Sequence, residues 1–373
     1  MAKMVFNSSD EPTLGIEIEL ALVDEETMAL SSSINRVLKA LPSHFGDSIK
    51  PELMQCYLEI NTNVCHTVAQ AEGDLRQKIL AVQQVCDGLG LRLYWTGSHP
   101  FSMWEEQTVT ENERYQSLVE SLQDMARQLV TFGLHVHVGV DSGDKAVMIC
   151  DRIMRHLPVL LALSCNSPWW EKRVTGLQSH RSKIMEDLPT AGLPTLMRNW
   201  SEYVWLIHHL IDTGFIQSIR EIWWDVRPHH NFGTVEVRVC DMPGSLDDCL
   251  ALAALIQSLV KALSDQIDQG TYQHDCHPMM VRQNKWRATR FGTRAKLVDS
   301  YTYQQHTLPE TVATLMHHLR PVAEELNCLP YLERVTDLVK RPTWADLQLS
   351  KLHELNNPAD VVRHMTTLSR LGE

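Results

Sequence analysis

Thr13–Val23 reads TLGIEIELALV, and its odd and even positions separate into two kinds. Leu14, Ile16, Ile18, Leu20 and Leu22 fall on one side; Gly15, Glu17, Glu19 and Ala21 fall on the other. Alternation with period two over this length predicts a β-strand. Glu17 and Glu19 then stand on one face, one pleat apart. Like charges that close raise each other's pKa unless a cation sits between them. Taken alone, the stretch is a strand with a solvated outer face.

Later strands repeat the pattern. Leu134–Val140 places His135 and His137 opposite Leu134, Val136 and Val138. Gly233–Asp241 places Glu236 and Arg238 opposite Val235, Val237 and Val239. Tyr57–Asn63 adds Glu59, opposite Leu58 and Ile60. If these strands share a sheet, one face is an apolar floor for helices. The other is a tray of carboxylates, imidazoles and a guanidinium. Such a tray suits Mg²⁺ or Mn²⁺, which take carboxylate oxygens, accept an occasional imidazole and bind together with phosphates. Zinc would favour more His or Cys in a closed tetrahedron. Each motif has a plainer reading: His-x-His as surface histidines, Glu-x-Arg as a cross-strand ion pair. Their conjunction favours a metal site.

The chain has 373 residues, 44% hydrophobic and 21% charged, ample for a large core. A net charge of -12 argues against sequence-independent nucleic-acid binding. Nine scattered cysteines with no C-x-x-C pair predict buried, reduced thiols and a cytoplasmic protein. The N-terminal MAKMVFNSSDEP has no apolar core of a signal peptide, and no apolar run is long enough for a membrane span.

Helices are expected over Ser31–Leu41, from Thr67 (a capping box with Gln70) to Leu89, and over Tyr115–Leu129. Others are expected over Asp144–Cys165 with a kink at Pro158, over Trp200–Ile211 and Gly214–Ile219, and from Ser245 to Leu263. Asn166–Pro194 has weak periodicity, and a long irregular stretch in a compact chain tends to be functional. Arg282–Arg294, RQNKWRATRFGTR, is basic with interleaved Trp286 and Phe291; it suits a polyphosphate and a stacked base, or a solvated face. Neither a P-loop nor G-x-G-x-x-G occurs.

Six ordered segments carry a resemblance: TLGIEIEL, PELMQCYLEINTNVC, GLHVHVGV, NSPWW…TGLQSHRS, WWDVRP…FGTVEVRVCDMP and RQNKWRATRFG. Together, over about residues 13–295, they resemble the YbdK-type carboxylate–amine ligases, which belong with the type 2 glutamate–cysteine ligases. The resemblance implies an α+β fold of the glutamine-synthetase catalytic-domain type. In it a curved, mainly antiparallel sheet carries helices on its convex face. One catalytic domain over 1–373 is implied, with 296–373 as a helical C-terminal part. It further implies that Glu17, His135 and Glu236 hold one Mg²⁺ near the β- and γ-phosphates of ATP, and Glu19, Glu52 and Glu59 another near the substrate carboxylate. Arg238 would clamp the γ-phosphate, His137 contact ATP or the transferring group, and Arg181 bind the acid. Asn284, Lys285, Arg287 and Arg290 would meet the nucleotide. Departures fall in the substrate loop: Val174 stands where the family has Asp and His180 where Tyr or Ser is usual. Lys285 replaces a common Arg.

The reaction so implied is ATP-dependent amide formation through an acyl phosphate, with glutamate as the acid and cysteine as the amine to test first. Neither nucleic acid nor a membrane enters, and exposed sheet edges suit a homo-oligomer. Two alternatives stand beside it: a metal-dependent hydrolase using His135-x-His137, and a non-catalytic ATP-binding relative.

Overall fold

The computed structural model describes residues 4–271 and 276–372. Its centre is an antiparallel sheet of seven strands: β1 (Leu14–Asp24), β2 (Ile49–Pro51), β3 (Tyr57–Asn61), β4 (Leu91–Tyr94), β5 (Gly133–Gly139), β6 (Val226–His229) and β7 (Thr234–Asp241). Their order is β6-β7-β5-β1-β3-β2, and β4 pairs with the last residues of β1. The stretch TLGIEIELALV is therefore the hub: β1 pairs with β3, β4 and β5.

Alternation sets which face is dry. Leu14, Ile16, Ile18 and Leu20 are at most 1% exposed, and Leu134, Val136, Val138, Val235 and Val237 are fully buried beside them. Helices Leu157–Ser164 and Leu246–Asp268 pack on this face. The second helix starts where Ser245 caps the Asp248 N–H, with Asp247 and Asp248 in its first turn. Each aliphatic side chain so buried contributes about 1.5–3 kcal/mol before the cost of ordering it. Helices from Leu308 to Leu368 complete the chain, and the main core runs from Leu14 to Met365. Gln348 ties these helices inward, accepting from Trp169 Nε1 at 2.7 Å and donating to Asn166 Oδ1 at 2.7 Å. Trp169 is thus packing, not a ligand shelf. All nine cysteines are free, and only Cys276 is not buried. Among the described residues no helix is long and apolar enough to cross a membrane.

Four expectations need correction. The helix expected over Tyr115–Leu129 is broken at Gln123, whose φ is 51°, into Glu113–Leu122 and Asp124–Arg127. The helix expected from Asp144 ends at Ile153 and restarts as Leu157–Ser164, so Pro158 sits in a first turn, where its missing N–H costs nothing. Gly214–Ile219 is not a helix: Gly214, at φ 76°, follows the end of Trp200–Asp212, and only a 3₁₀ turn, Ile219–Glu221, follows. Thr67 caps the Gln70 N–H, but Gln70 Oε1 accepts from His66 N, so the capping box does not close.

Candidate functional site

Register assembles the tray. On β1, Glu17 lies opposite His135 of β5 and Asn61 of β3, and Glu19 lies opposite Glu59. His137 lies opposite Glu236 of β7, which in turn faces Arg227 of β6. A β-bulge between Val237 and Cys240 breaks the β5–β7 ladder. Arg238 lies in this stretch: its N–H donates to Asp225 O at 2.8 Å, one pair beyond Val226–Val237 in the β6–β7 register, and its guanidinium lies toward His135, whose Nδ1 is 3.5 Å away.

Ligand atoms within 4.8 Å of one another form two groups that share Glu17: Glu17, His137 and Glu236, and Glu17, Glu59 and His135. This partition differs from the expected one, which put His135 with Glu236 and kept His137 for phosphate. The cause is register: His137 faces Glu236, and one step along the same ladder His135 meets Arg238. His135 Nε2, His137 Nε2 and Asn61 Oδ1 are buried without a hydrogen-bond partner. Buried acceptors left open beside carboxylates fit a divalent cation with oxygen and imidazole ligands.

Electrostatics divides the tray. Burial would raise the Glu236 carboxyl, but Arg227, Arg238 and His137 hold it well below the usual range. Arg227 grips it with Nε 2.7 Å from Oε2, and Arg238 grips the other oxygen. Burial acts likewise on Glu17, which the charge of His137 and a hydrogen bond from His135 hold low. His137 is pushed up: burial opposes its charge, yet Glu236 and Glu17 outweigh burial. Its Nδ1 is 2.9 Å from Thr234 Oγ1, leaving Nε2 toward both carboxylates. His135 is pulled down to about 4 by burial and Arg238, so it is neutral and able to ligate. At the other end, burial and then neighbouring carboxylates dominate. Glu19 is pushed up to about 7, chiefly by burial. Glu52 is raised by burial, Glu59 and Glu19, and Glu59 by burial and Glu17. Lys50, 3.9 Å from Glu59, is a weak counter-charge. Three carboxylates crowd this end, and Arg181 and Arg238 draw Glu19 down without outweighing its burial.

A pocket of about 90 Å³ opens there, lined by Glu19, Glu52, His135, Arg181 and Arg238 among others. Arg181 begins the helix Arg181–Glu186, and its N–H donates to Ser167 Oγ at 3.0 Å. Ser167 Oγ in turn donates to Asp241 Oδ2 at 2.6 Å. Its guanidinium lies against Gly133, where any Cβ would come within 2.2 Å of it. Gly133 is thus required by the arginine, not by a turn.

The basic stretch does not join the tray. It is the C-terminal part of helix Pro278–Phe291 and the turn after it. Asn284 clips the backbone of Val298, and Arg287 donates to Lys296 O at 2.9 Å. Lys285 is bound to Asp225 and Glu186, and Arg290 lies over Phe291. None of the four lines the pocket. Of the departing loop residues, Val174 is exposed and His180 leans on Trp170. Sequence reading missed Arg227, Asn61, Gly133 and the wall of Arg114, Tyr115, Met185 and Trp223. For Arg227 a signal existed: in V226-R-P-H229 it alternates with apolar residues on the strand before Glu236.

The chain is similar to known proteins over nearly its whole length. The family model described as "Glutamate-cysteine ligase family 2 (GCS2)" matches residues 13–356. A protein of Gloeobacter violaceus named "Putative glutamate--cysteine ligase 2" is 41% identical over 345 residues, 92% of this chain and 93% of that one. One of the same name from Thermobifida fusca is 39% identical over 371 residues, 98% of this chain and 93% of its own. Among solved structures, a glutamate–cysteine ligase of Francisella tularensis in complex with AMP aligns with a TM-score of 0.73 at 14% identity. The alignment covers 99% of this chain and 91% of that one. A bifunctional glutathione synthetase of Pasteurella multocida aligns at 0.67 and 14%, over 96% of this chain and 52% of that one. At such identity these two speak for the shared fold. From the family match and the two relatives, the chain belongs to glutamate–cysteine ligase family 2, whose members are carbon–nitrogen ligases.

Proposed function

We propose that the chain is an ATP-dependent carboxylate–amine ligase working through an acyl phosphate, with glutamate and cysteine as the first substrates to test. The observation that carries this reading is the row of ionisable groups across β6-β7-β5-β1-β3. Two cation-ready groups share Glu17 there and abut a pocket holding Arg181 and Arg238.

A carboxylate is a poor electrophile, so it is activated first. Its oxygen attacks the γ-phosphorus of ATP, the bond to the β-phosphate oxygen breaks, and ADP leaves. The amine nitrogen then attacks the acyl carbon, loses a proton, and phosphate leaves. Divalent cations, Mg²⁺ or Mn²⁺, held by Glu17, His137 and Glu236 and by Glu17, Glu59 and His135, would neutralise phosphate charge. Arg238 holds a guanidinium where charge builds on the transferring group. Arg181 holds one at the pocket end that binds the acid, and both are fixed in place beforehand. Glu19 and Glu52 keep that end acidic until a cation or a substrate ammonium arrives.

The opposite end of the tray offers a place for the base. His229 and Phe232 stack with centroids 4.2 Å apart, His229 meets His137 edge-on at 5.3 Å, and Phe232 is exposed. An aromatic shelf beside His137 suits adenine better than the 282–294 stretch, where Asn284, Lys285 and Arg287 are engaged elsewhere.

A zinc hydrolase has less support. Among the described residues neither cation-ready group contains a cysteine or a second histidine. Thermal shift separates the readings. Mg²⁺ with ATP should raise Tm by several degrees, whereas stabilisation by Zn²⁺ alone with no response to Mg²⁺ and ATP would favour the hydrolase.

A further inference from the structure

The buried cation Lys285 is absent from the chemistry above, although it lies two contacts from both active-site arginines. It is 2% exposed and is the only cation within ion-pair reach of Asp225 among the described residues. Its Nζ stands 2.5 Å from Asp225 Oδ2 and 2.7 Å from Glu186 Oε1. Glu186 is the last residue of the six-residue helix that begins with Arg181. Asp225 accepts the Arg238 N–H on its backbone oxygen at 2.8 Å. The ring closes on the far side, where Arg181 Nη1 and Nη2 approach the Arg238 carbonyl at 3.5 and 3.4 Å. Helix, strand bulge and the Pro278–Phe291 helix are thus joined through one ammonium.

We propose that Lys285 is a positioning residue that sets the distance between Arg181 and Arg238, and hence the acid subsite, without touching substrate. This inference rests on the ligase reading for its kinetic consequence only. Three features support it. The helix Arg181–Glu186 is too short to hold its own orientation, so Ser167 at its N-terminal end and Lys285 at its C-terminal end together fix where Arg181 points. Arg238 sits where the β5–β7 ladder shifts register, and its backbone N–H is held from the opposite edge of the strand by Asp225 O. Lys285 is the charge between the buried Asp225 and a half-buried Glu186 that Lys183 also pairs, so losing it leaves Asp225 without a cation and opens the ring.

The test compares Lys285→Met, Lys285→Arg and Asp225→Asn with the unaltered chain. Steady-state ADP release should show the acid's KM raised and kcat/KM for the acid reduced by about 10²-fold in Lys285→Met, with the KM for ATP unchanged. Lys285→Arg should recover most of the loss, and Asp225→Asn, which keeps Lys285 and so is the milder change to folding, should reproduce part of it. Equal loss toward acid and ATP, or no recovery in Lys285→Arg, would overturn the proposal. A crystal structure of Lys285→Met provides a readout that needs no turnover. Displacement of Arg181 relative to Arg238 is expected, and an unchanged pair would overturn the proposal. If the unaltered chain releases no ADP with any acid and amine, the ligase reading fails, and the structural comparison still decides the role of Lys285.

Discussion

Two regions of this protein are rich in charge, and only one of them is built as a site. The tray on β1, β3, β5, β6 and β7 and the stretch Arg282–Arg294 both carry ionisable residues close together. On the tray, His135 Nε2, His137 Nε2 and Asn61 Oδ1 are buried and open, and three carboxylates crowd one end. Along the helix, Asn284, Lys285 and Arg287 are already spent on backbone carbonyls and internal carboxylates. Density of charge therefore says little about ligand binding. What distinguishes a site is buried polar atoms whose partners are missing, set around a space.

That contrast can be broken most sharply at Glu236. Glu236→Gln keeps the size and one acceptor but removes the charge shared by Arg227, Arg238 and His137. ADP release should fall about 10³-fold while the circular dichroism spectrum stays unchanged. Full residual turnover would remove Glu236 from the cation site. Next in size is Gly133→Ala. The new Cβ would lie 2.2 Å from the Arg181 guanidinium, so the arginine must move. The acid's KM should rise at least about 10-fold with ATP affinity kept, measured by steady-state kinetics and nucleotide titration.

A smaller effect follows from the crowded carboxylates, read in chelator with no added cation. Glu19 has a folded pKa of about 7 against 4.5 when unperturbed. The folded state therefore holds this proton more tightly than the unfolded chain. The associated stability is fully present below pH 4.5 and is lost as pH rises through about 7. Denaturant unfolding should show a loss on the order of 1–3 kcal/mol across that window, and Glu19→Gln should flatten it. At the small end, Arg287→Ala should change neither nucleotide affinity nor turnover and cost under about 0.5 kcal/mol, since only an exposed hydrogen bond to Lys296 O is lost. A tenfold loss of ATP affinity there would restore the basic helix as a nucleotide site.

The sheet was legible because period-two alternation is a local property. TLGIEIELALV, LHVHV and TVEVRV each state which face is apolar; β1 alternates in burial from Leu14 to Leu20, whereas all of β5 and all of β7 but Arg238 are buried because both faces are covered there. Which strands neighbour one another is not local. The pairing of Glu236 with His137 and not His135 is set by the β5–β7 register, which nothing within either strand announces. Helix ends failed for a related reason: the break at Gln123 occurs at a residue with no turn preference. The basic stretch is ambiguous in sequence because a helix that satisfies its cations internally has the same composition as one that offers them to a ligand. Gly133 stands in the sequence as a glycine after a helical pattern would, as a stop signal, whereas its missing side chain makes room for an arginine 48 positions downstream.

The central claim is that the tray turns over ATP to join an acid to an amine. ADP release measured over a matrix of acids and amines, glutamate and cysteine included, with Mg²⁺ present or chelated, tests it most directly. The account predicts release that needs acid and Mg²⁺, rises when the matching amine is added, and disappears in Glu236→Gln. Binding of ATP with Mg²⁺ but no ADP release under any acid and amine would contradict it and leave a non-catalytic nucleotide-binding relative.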